Sequence, residues 1–170
     1  MVDVKTPQFP LSSYKEAAAT YPGLDAVALY NNNVIAQFAR EYIAAFDRGL
    51  SRYGLAMGRH VALNLINLGG PSGITPADLA DRLGVTRGAM TGLLQSLEAE
   101  GLVARGPHKG DRRMVKLVIT EKGRKKIEAY WPDHARSLCR FVNTLSKQEQ
   151  KQLVSLLSKL SARMQVLGEG

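Results

Sequence analysis

The sequence predicts a mainly helical α+β chain, in which a helix-turn-helix and a small antiparallel hairpin are flanked by helices from both ends of the chain. Two short helical segments are separated by three residues around Gly84, and the segment that follows alternates with a period of two. Apolar residues also recur at helical spacing towards both ends. We expect an N-terminal extension at 1–24, a helical dimerisation lobe at 25–54 and 121–170, and a winged lobe at 55–120.

The first part of the chain predicts two helices after a poorly ordered extension. Residues 1–24 contain three prolines and Gly23, which favour irregular structure. Asp25–Leu50 has apolar residues at helical spacing, and 55–68 predicts a second helix with Val61, Leu65 and Leu68 on one side. The Gly-Gly-Pro-Ser-Gly run at 69–73 then predicts a loop.

Capping residues define the helix-turn-helix. Thr75 is placed to cap a helix that has Pro76 at its first position and Asp78 three residues after the cap. Gly84 is typical of a left-handed residue after a helix end, and Thr86 caps the next helix only two residues later. The second helix runs to about residue 101, and so tight a turn between two helices predicts the motif.

A hairpin and two longer helices complete the chain. Strands are predicted at 102–105 and 114–119, joined by a polar turn at 106–111. Thr120 caps a helix whose apolar residues include Ile127 and Trp131, and Pro132 within it predicts a kink or a split. A capping box at 146–149 begins the last helix, which is leucine-rich. Its apolar stripe is the predicted dimer interface: Leu153, Leu156, Leu157, Leu160, Met164 and Leu167.

Charge is concentrated in one segment. The 170 residues carry a net charge of +8, and residues 101–126 alone hold nine basic against two acidic residues. A solvated face normally mixes both signs, so this concentration favours phosphate contact. We find no signal peptide and no apolar run long enough for a membrane span, and the single cysteine fits a reducing cytoplasm. We therefore expect a cytoplasmic protein with no membrane partner.

The helix after the turn carries the predicted reading face. Its apolar residues at helical spacing must face the core, and Arg87, Thr91 and Gln95 lie on the opposite side beside Gly88 and Gly92. This face has hydrogen-bonding groups without bulk, which suits a major groove about 12 Å wide. The alternative is an ordinary solvated face. The predicted DNA-binding set is Thr75, Thr86, Arg87, Gly88, Ala89, Thr91, Gln95, His108, Lys109, Arg112 and Arg113.

The hairpin tip strengthens the DNA hypothesis. An arginine-bearing arm can enter a narrow minor groove, where the potential is most negative. Asp111 lies beside Arg112 and Arg113, and we expect it to pair with one of them and orient the arginine. A carboxylate beside phosphate would be repelled, so Asp111 is not expected to contact DNA.

These motifs resemble the winged helix-turn-helix of the MarR family of bacterial regulators. The similarity lies in the runs 74–80, 83–91 and 97–105, in Gly110-Asp111-Arg112-Arg113, and in 117–123, and with the flanking helices it covers about residues 25–167. The resemblance implies a homodimer on a pseudo-palindromic double-stranded DNA operator, with wings in minor grooves and half-sites about 10 bp apart. It also implies a repressor that releases DNA when a small effector, often an aromatic acid or phenol, binds.

The resemblance places an effector pocket on the first two helices. The candidate lining residues are Phe38, Tyr42, Phe46, Arg59 and His60, and the alternative is that the aromatic residues are plain core. Cys139 falls on an apolar helical face, where we expect an inert buried thiol. The three histidines show no metal-ligand spacing, so neither a metal nor another cofactor is predicted.

Two other functions were weighed against DNA binding. A winged helix can serve as a protein–protein interaction module, but such a helix usually exposes aromatic or aliphatic anchors. An enzyme would need a phosphate loop, a nucleophile near a base, or paired carboxylates, and we find none of these motifs. The sequence therefore predicts a DNA-binding, non-enzymatic protein.

Overall fold

The computed structural model describes residues 9–107 and 115–168. The predicted α+β class is confirmed, and the strands pair antiparallel with Val103 opposite Ile119. Short 3-10 helices occur at Gly70–Ser72 and Met164–Gly168. The elements are α1 (Leu11–Thr20), α2 (Ala26–Ser51), α3 (Met57–Leu68), α4 (Pro76–Leu83), α5 (Arg87–Ala99), β1 (Val103–Pro107), β2 (Val115–Ile119), α6 (Glu121–Val142) and α7 (Lys147–Ser161).

Side-chain caps fix the helix starts at the predicted positions. The Thr86 and Thr120 hydroxyls accept hydrogen bonds from the third residue of their helices, and Ser146 forms a full capping box. Gly84 ends α4 with φ of 63°, a left-handed conformation that suits glycine because it lacks a Cβ. These local devices make the turn between α4 and α5 short.

The core lies where α3 meets α4, α5, α6 and β2. Leu63, Leu79, Leu97 and Leu117 are fully buried there, and Ile74 adds a bridge to Leu117 beside the hairpin. Gly123 shows how tightly α6 approaches this core, because an added Cβ would lie 2.2 Å from the Leu102 carbonyl oxygen. The core thus holds α5 and the hairpin base against one scaffold.

Two helices bury a different face from the one predicted. In α3 the predicted stripe is only partly right. Leu65 packs against the core, but the fully buried residues are Ala62, Leu63 and Ile66, and Leu68 is 81% exposed. In α6 the buried positions are Ile127, Tyr130 and His134, whereas Trp131 is partly exposed. The aromatic and imidazole rings of α6 take core positions that an apolar pattern does not recognise.

Two further predictions are corrected in the flanking segments. The extension is not irregular throughout, since α1 forms from an alanine-rich run and packs Tyr14 edge-on against Tyr30 of α2. Pro132 does not split α6, which is one continuous helix, while a kink at this proline stays a prediction. Pro132 is exposed, so water can satisfy the carbonyl group that loses its helical N–H donor.

The last helix makes little use of its apolar stripe within the chain. It ends at Ser161 rather than near Leu167, and Met164 and Leu167 follow on a 3-10 helix. The whole predicted interface set is exposed: Leu153, Leu156, Leu157, Leu160, Met164 and Leu167. Ile35 and Phe38 of α2 are exposed as well, which leaves a substantial apolar surface uncovered in a single chain.

Candidate nucleic-acid interface

Helix α5 presents a polar face held in place by a buried one. Met90, Leu94 and Leu97 anchor it, with at most 3% of each side chain exposed. Arg87 and Gln95 lie on the exposed side, as predicted. The helix therefore cannot rotate to bury this face without losing its own core contacts.

The same face carries no side chains at two positions, Gly88 and Gly92. An added Cβ at Gly88 or Gly92 would meet nothing within 4 Å, so no neighbouring atom requires glycine there. The Thr91 hydroxyl donates to the Arg87 carbonyl oxygen at 2.9 Å, which keeps this side chain close to the helix. The result is a smooth surface on which another molecule can come close to the backbone.

The start of α5 adds positive potential. Thr86 and Ala89 are exposed beside the N-terminal N–H groups, where the helix dipole favours an anion. Arg87 and Arg105 line one groove together with Pro76 of α4. Two guanidinium groups and a helix N-terminus on one side of the molecule can bind phosphate.

Thr75 does not belong to this surface. It is buried, and its hydroxyl donates to the Asp78 carboxylate at 2.8 Å while accepting from the Asp78 N–H at 3.1 Å. The prediction that Thr75 contacts DNA is therefore wrong, and this residue is a structural cap. The predicted wing residues His108, Lys109, Asp111, Arg112 and Arg113 lie outside the described residues.

The far end of α5 is joined to its neighbours by two ion pairs. Glu100 accepts from the Arg59 guanidinium of α3 at 2.6 Å, and Glu98 accepts from Arg105 Nε of β1 at 2.6 Å. Arg59 therefore faces the C-terminal end of α5. Its assignment to the effector pocket stays a prediction.

The other candidate pocket residues do come together, in a ring cluster where α2, α3 and α6 meet. Phe38 stacks on Tyr42, Tyr42 contacts Phe46, and Phe46 packs edge-on against His60 with centroids 5.4 Å apart. This ring cluster also includes residues of α6 that sequence reasoning missed: Tyr130, Trp131, His134 and Phe141. A spacing of three and four residues between 127, 130 and 134 was the available signal.

Hydrogen bonds fix the polar centre of the ring cluster. Asn64 Nδ2 donates to the Tyr130 hydroxyl oxygen at 3.0 Å and to the His60 carbonyl oxygen at 2.8 Å. The Tyr130 hydroxyl is therefore free to donate to His60 Nδ1, which lies 2.9 Å away, so this geometry favours the Nε2–H tautomer of His60. Burial, with a smaller effect of the nearby His134, lowers the His60 pKa to about 4.

His134 is the least satisfied member of the ring cluster. Its side chain is 4% exposed, and its Nε2 has no hydrogen-bond partner among the described residues. Burial, and then the positive charge of Arg52, lowers its pKa below the ordinary value. Both histidines are therefore neutral at pH 7, and the ring cluster is an uncharged aromatic wall.

Cys139 is exposed, which corrects the expectation of a buried thiol. Within 9–107 and 115–168, no group of three or more acidic, histidine or cysteine side chains is arranged to hold a metal. Over the same ranges, none of the helices combines the length and the apolar character needed to cross a bilayer.

Comparison with known proteins agrees with this geometry. The sequence profile of the MarR family matches residues 53–114. The HTH-type transcriptional repressor YetL of Bacillus subtilis is 28% identical over 159 residues, which span 92% of this chain and 95% of the relative.

Solved structures show the same fold. The MepR–DNA complex of S. aureus matches with a TM-score of 0.72 and 22% identity, over 79% of this chain and 96% of that one. CouR from Rhodococcus jostii RHA1, bound to p-coumaroyl-CoA, matches with a TM-score of 0.67 and 20% identity, over 76% and 90% respectively.

The fold and the exposed helix face define a winged helix-turn-helix protein. The family profile covers the motif itself, and YetL extends the similarity over nearly the whole chain. The chain is similar to the MarR family of winged helix-turn-helix transcriptional regulators, through the profile match at residues 53–114 and through YetL.

Proposed function

We propose that this chain is a sequence-specific transcriptional regulator that acts as a homodimer on double-stranded DNA. The observation that carries the proposal is α5, whose buried residues fix it to the core while Arg87, Thr91 and Gln95 face outwards beside two open glycines. A polar helix face without bulk fits a major groove, where base edges can be told apart by their donors and acceptors. A solvated face alone gives no reason for glycines that no neighbour requires.

The charge distribution supports DNA as the partner. Nine basic residues in 101–126 adjoin α5 in the chain, and Arg105 shares a groove with Arg87. We propose that His108, Lys109, Arg112 and Arg113 of the wing also contact DNA, with Asp111 orienting an arginine. Phosphate contacts of this kind make affinity fall steeply with salt, by about 0.9 in the log–log slope per contact.

A second copy of the chain is the proposed cover for the exposed apolar stripe of α7. The six exposed residues of the predicted interface, with Ile35 and Phe38 on α2, exceed what isolated surface hydrophobics explain. Two-fold pairing would place two α5 helices about one DNA turn apart on a pseudo-palindromic operator. Because the relative YetL is named a repressor, we propose repression as the outcome.

We propose that the ring cluster is the site where a small effector acts. It offers aromatic faces and neutral imidazoles from three helices, and the related fold of CouR holds an aromatic acyl thioester. The proposed role is non-enzymatic. We propose the cytoplasm as its compartment, because a chromosomal operator would be reached there.

The test begins with a duplex that the wild-type chain enriches from a random library. Fluorescence anisotropy at several salt concentrations measures its affinity against a random duplex of equal length. We expect Arg87→Ala to reduce affinity by about 1–3 kcal/mol, since this residue is at the exposed start of the reading helix. Lys15→Ala on α1 is the matched control and should bind normally, whereas failure to enrich any sequence would contradict sequence-specific binding.

The effector proposal has its own measurement. Phenol and benzoate are titrated against the preformed DNA complex, and release at millimolar concentrations is expected for the wild-type chain. Phe46→Ala should lose this response while retaining DNA affinity. Equal release from both chains would place the effector elsewhere.

A further inference from the structure

The C-terminal end of α5 carries the wrong charge for a helix end. Glu98 lies in its last turn and Glu100 is the C-cap residue, and the last turn contains no basic residue of its own. The negative end of the helix dipole disfavours carboxylates at this position. Helix stability therefore gives no reason for two acidic residues there.

Both carboxylates are paired with arginines from other elements. Arg59 on α3 binds Glu100, and Arg105 on β1 binds Glu98, each with a nitrogen–oxygen distance of 2.6 Å. The two arginines approach from separate elements, so the helix end is held from two directions. We call this pair of contacts the α5 clamp.

Arg59 is the more constrained arm of the clamp. Its side chain is 22% exposed, and its Nε is buried without a hydrogen-bond partner among the described residues. The charge-assisted contact of Arg59 Nη2 with Glu100 therefore sets the direction of this guanidinium. The α3 backbone is close to α5 at the adjacent position, since an added Cβ at Gly58 would lie 3.5 Å from Leu93 Cδ1.

The residue after Arg59 connects the clamp to the ring cluster. His60 contacts Phe46, Trp131 and His134, and it is hydrogen-bonded to Tyr130. A shift of α3 in response to the ring cluster would therefore also move Arg59. The clamp is the direct charged contact by which such a shift would reach the end of the reading helix.

We propose that Arg59 and Glu100 are positioning residues, which set the orientation of α5 in the DNA groove and transmit movements of α3 to it. The inference rests on the proposed DNA-binding function. A partly exposed ion pair contributes little to folding, so its loss should alter recognition much more than stability. Arg59 lies at the end of α5 opposite the DNA-facing N-terminus, so the effect is not a lost phosphate contact.

The experiment compares Glu100→Gln, Arg59→Gln and the charge swap Arg59→Glu/Glu100→Arg. The measured quantity is the ratio of affinities for the enriched duplex and a random duplex. Partial unfolding would weaken both affinities equally and leave this ratio unchanged. Glu128→Gln on α6 is the matched control, because it removes the same charge from an exposed carboxylate that makes no ion pair among the described residues.

We expect both single variants to lower the ratio on the order of tenfold, while the melting temperature falls by only a few degrees. Glu100→Gln is especially informative, since removing a negative charge should by itself raise affinity for DNA. The charge swap should recover most of the ratio, and Glu128→Gln should keep it.

Three results would overturn the inference. The first is an unchanged or higher ratio in Glu100→Gln, and the second is a swap no better than the single variants. If circular dichroism shows that Glu100→Gln is unfolded, the Arg59→Lys variant is tested instead, because lysine keeps the charge but lacks the planar guanidinium. Wild-type recognition by Arg59→Lys is the third result that would overturn the inference. A wild-type chain that binds both duplexes equally would refute the proposed function itself, and the inference with it.

Discussion

Substitutions at Gly92 can separate an effect on folding from an effect on DNA recognition. It lies inside α5, has no positive φ, and its added Cβ would meet nothing within 4 Å. A glycine inside a helix is less favourable than alanine by about 0.5–1 kcal/mol. We therefore expect Gly92→Ala to raise the free energy of unfolding by about that amount, and the melting temperature by about 1–4 °C.

DNA affinity should fall, although stability rises, as the side chain at position 92 becomes larger. If the face around Arg87 and Gln95 enters a major groove, each added carbon at 92 stands between the helix backbone and the base edges. Leucine is as good a helix former as most residues, so Gly92→Leu should fold well and still lose affinity on the order of tenfold or more. A stabilised chain that no longer binds is the predicted signature.

The assay pairs urea unfolding with anisotropy on the enriched duplex. Gly49→Ala is the matched control, since Gly49 is also helical and open but lies on α2. It should gain similar stability without any change in DNA affinity. Full affinity in Gly92→Leu would refute the reasoning, because α5 would then not approach DNA through this face.

Three further outcomes follow from the structure. Because the folded pKa of His60 is about 4 and the unfolded value is near 6.5, stability should decline as pH falls from 6.5 to 4, and His60→Phe should flatten the decline in urea titrations. Gly123→Ala would force a Cβ to 2.2 Å from the Leu102 carbonyl oxygen, so thermal unfolding should show a loss of about 3 kcal/mol or more. Leu157→Glu should sediment as a monomer, while Leu68→Glu, at a still more exposed leucine on α3, should remain dimeric.

Local signals in the sequence were sufficient to predict the helix-turn-helix. Thr86, Gly84 and Ser146 act through residues no more than a few positions away, so their roles could be predicted from spacing alone. The exposed reading face followed from the opposite, buried stripe of α5. These features obey rules that operate within one or two helical turns.

Contacts between distant segments could not be predicted in the same way. Arg59 and Glu100 are 41 positions apart, and His60 and Tyr130 are 70 apart, so only the packing of α3 reveals them. An apolar pattern also does not identify Tyr130 and His134, because their rings carry polar atoms although they pack in the core. The aromatic residues of α2 were predicted to lie together, while Tyr130 and His134 on α6 were missed for this reason.

The departures from local rules in α5 fall at the proposed DNA-facing surface and at the α5 clamp. The open glycines on the exposed face lower the stability of the helix, and the carboxylates at its C-terminal end oppose the helix dipole. The core requires neither feature. A sequence selected for helix stability alone would have alanine and lysine at such positions. Both departures gain a reason if the helix must come close to DNA at one end and be held from outside at the other. Discriminating between duplexes then depends on how the helix is held as much as on the side chains it presents.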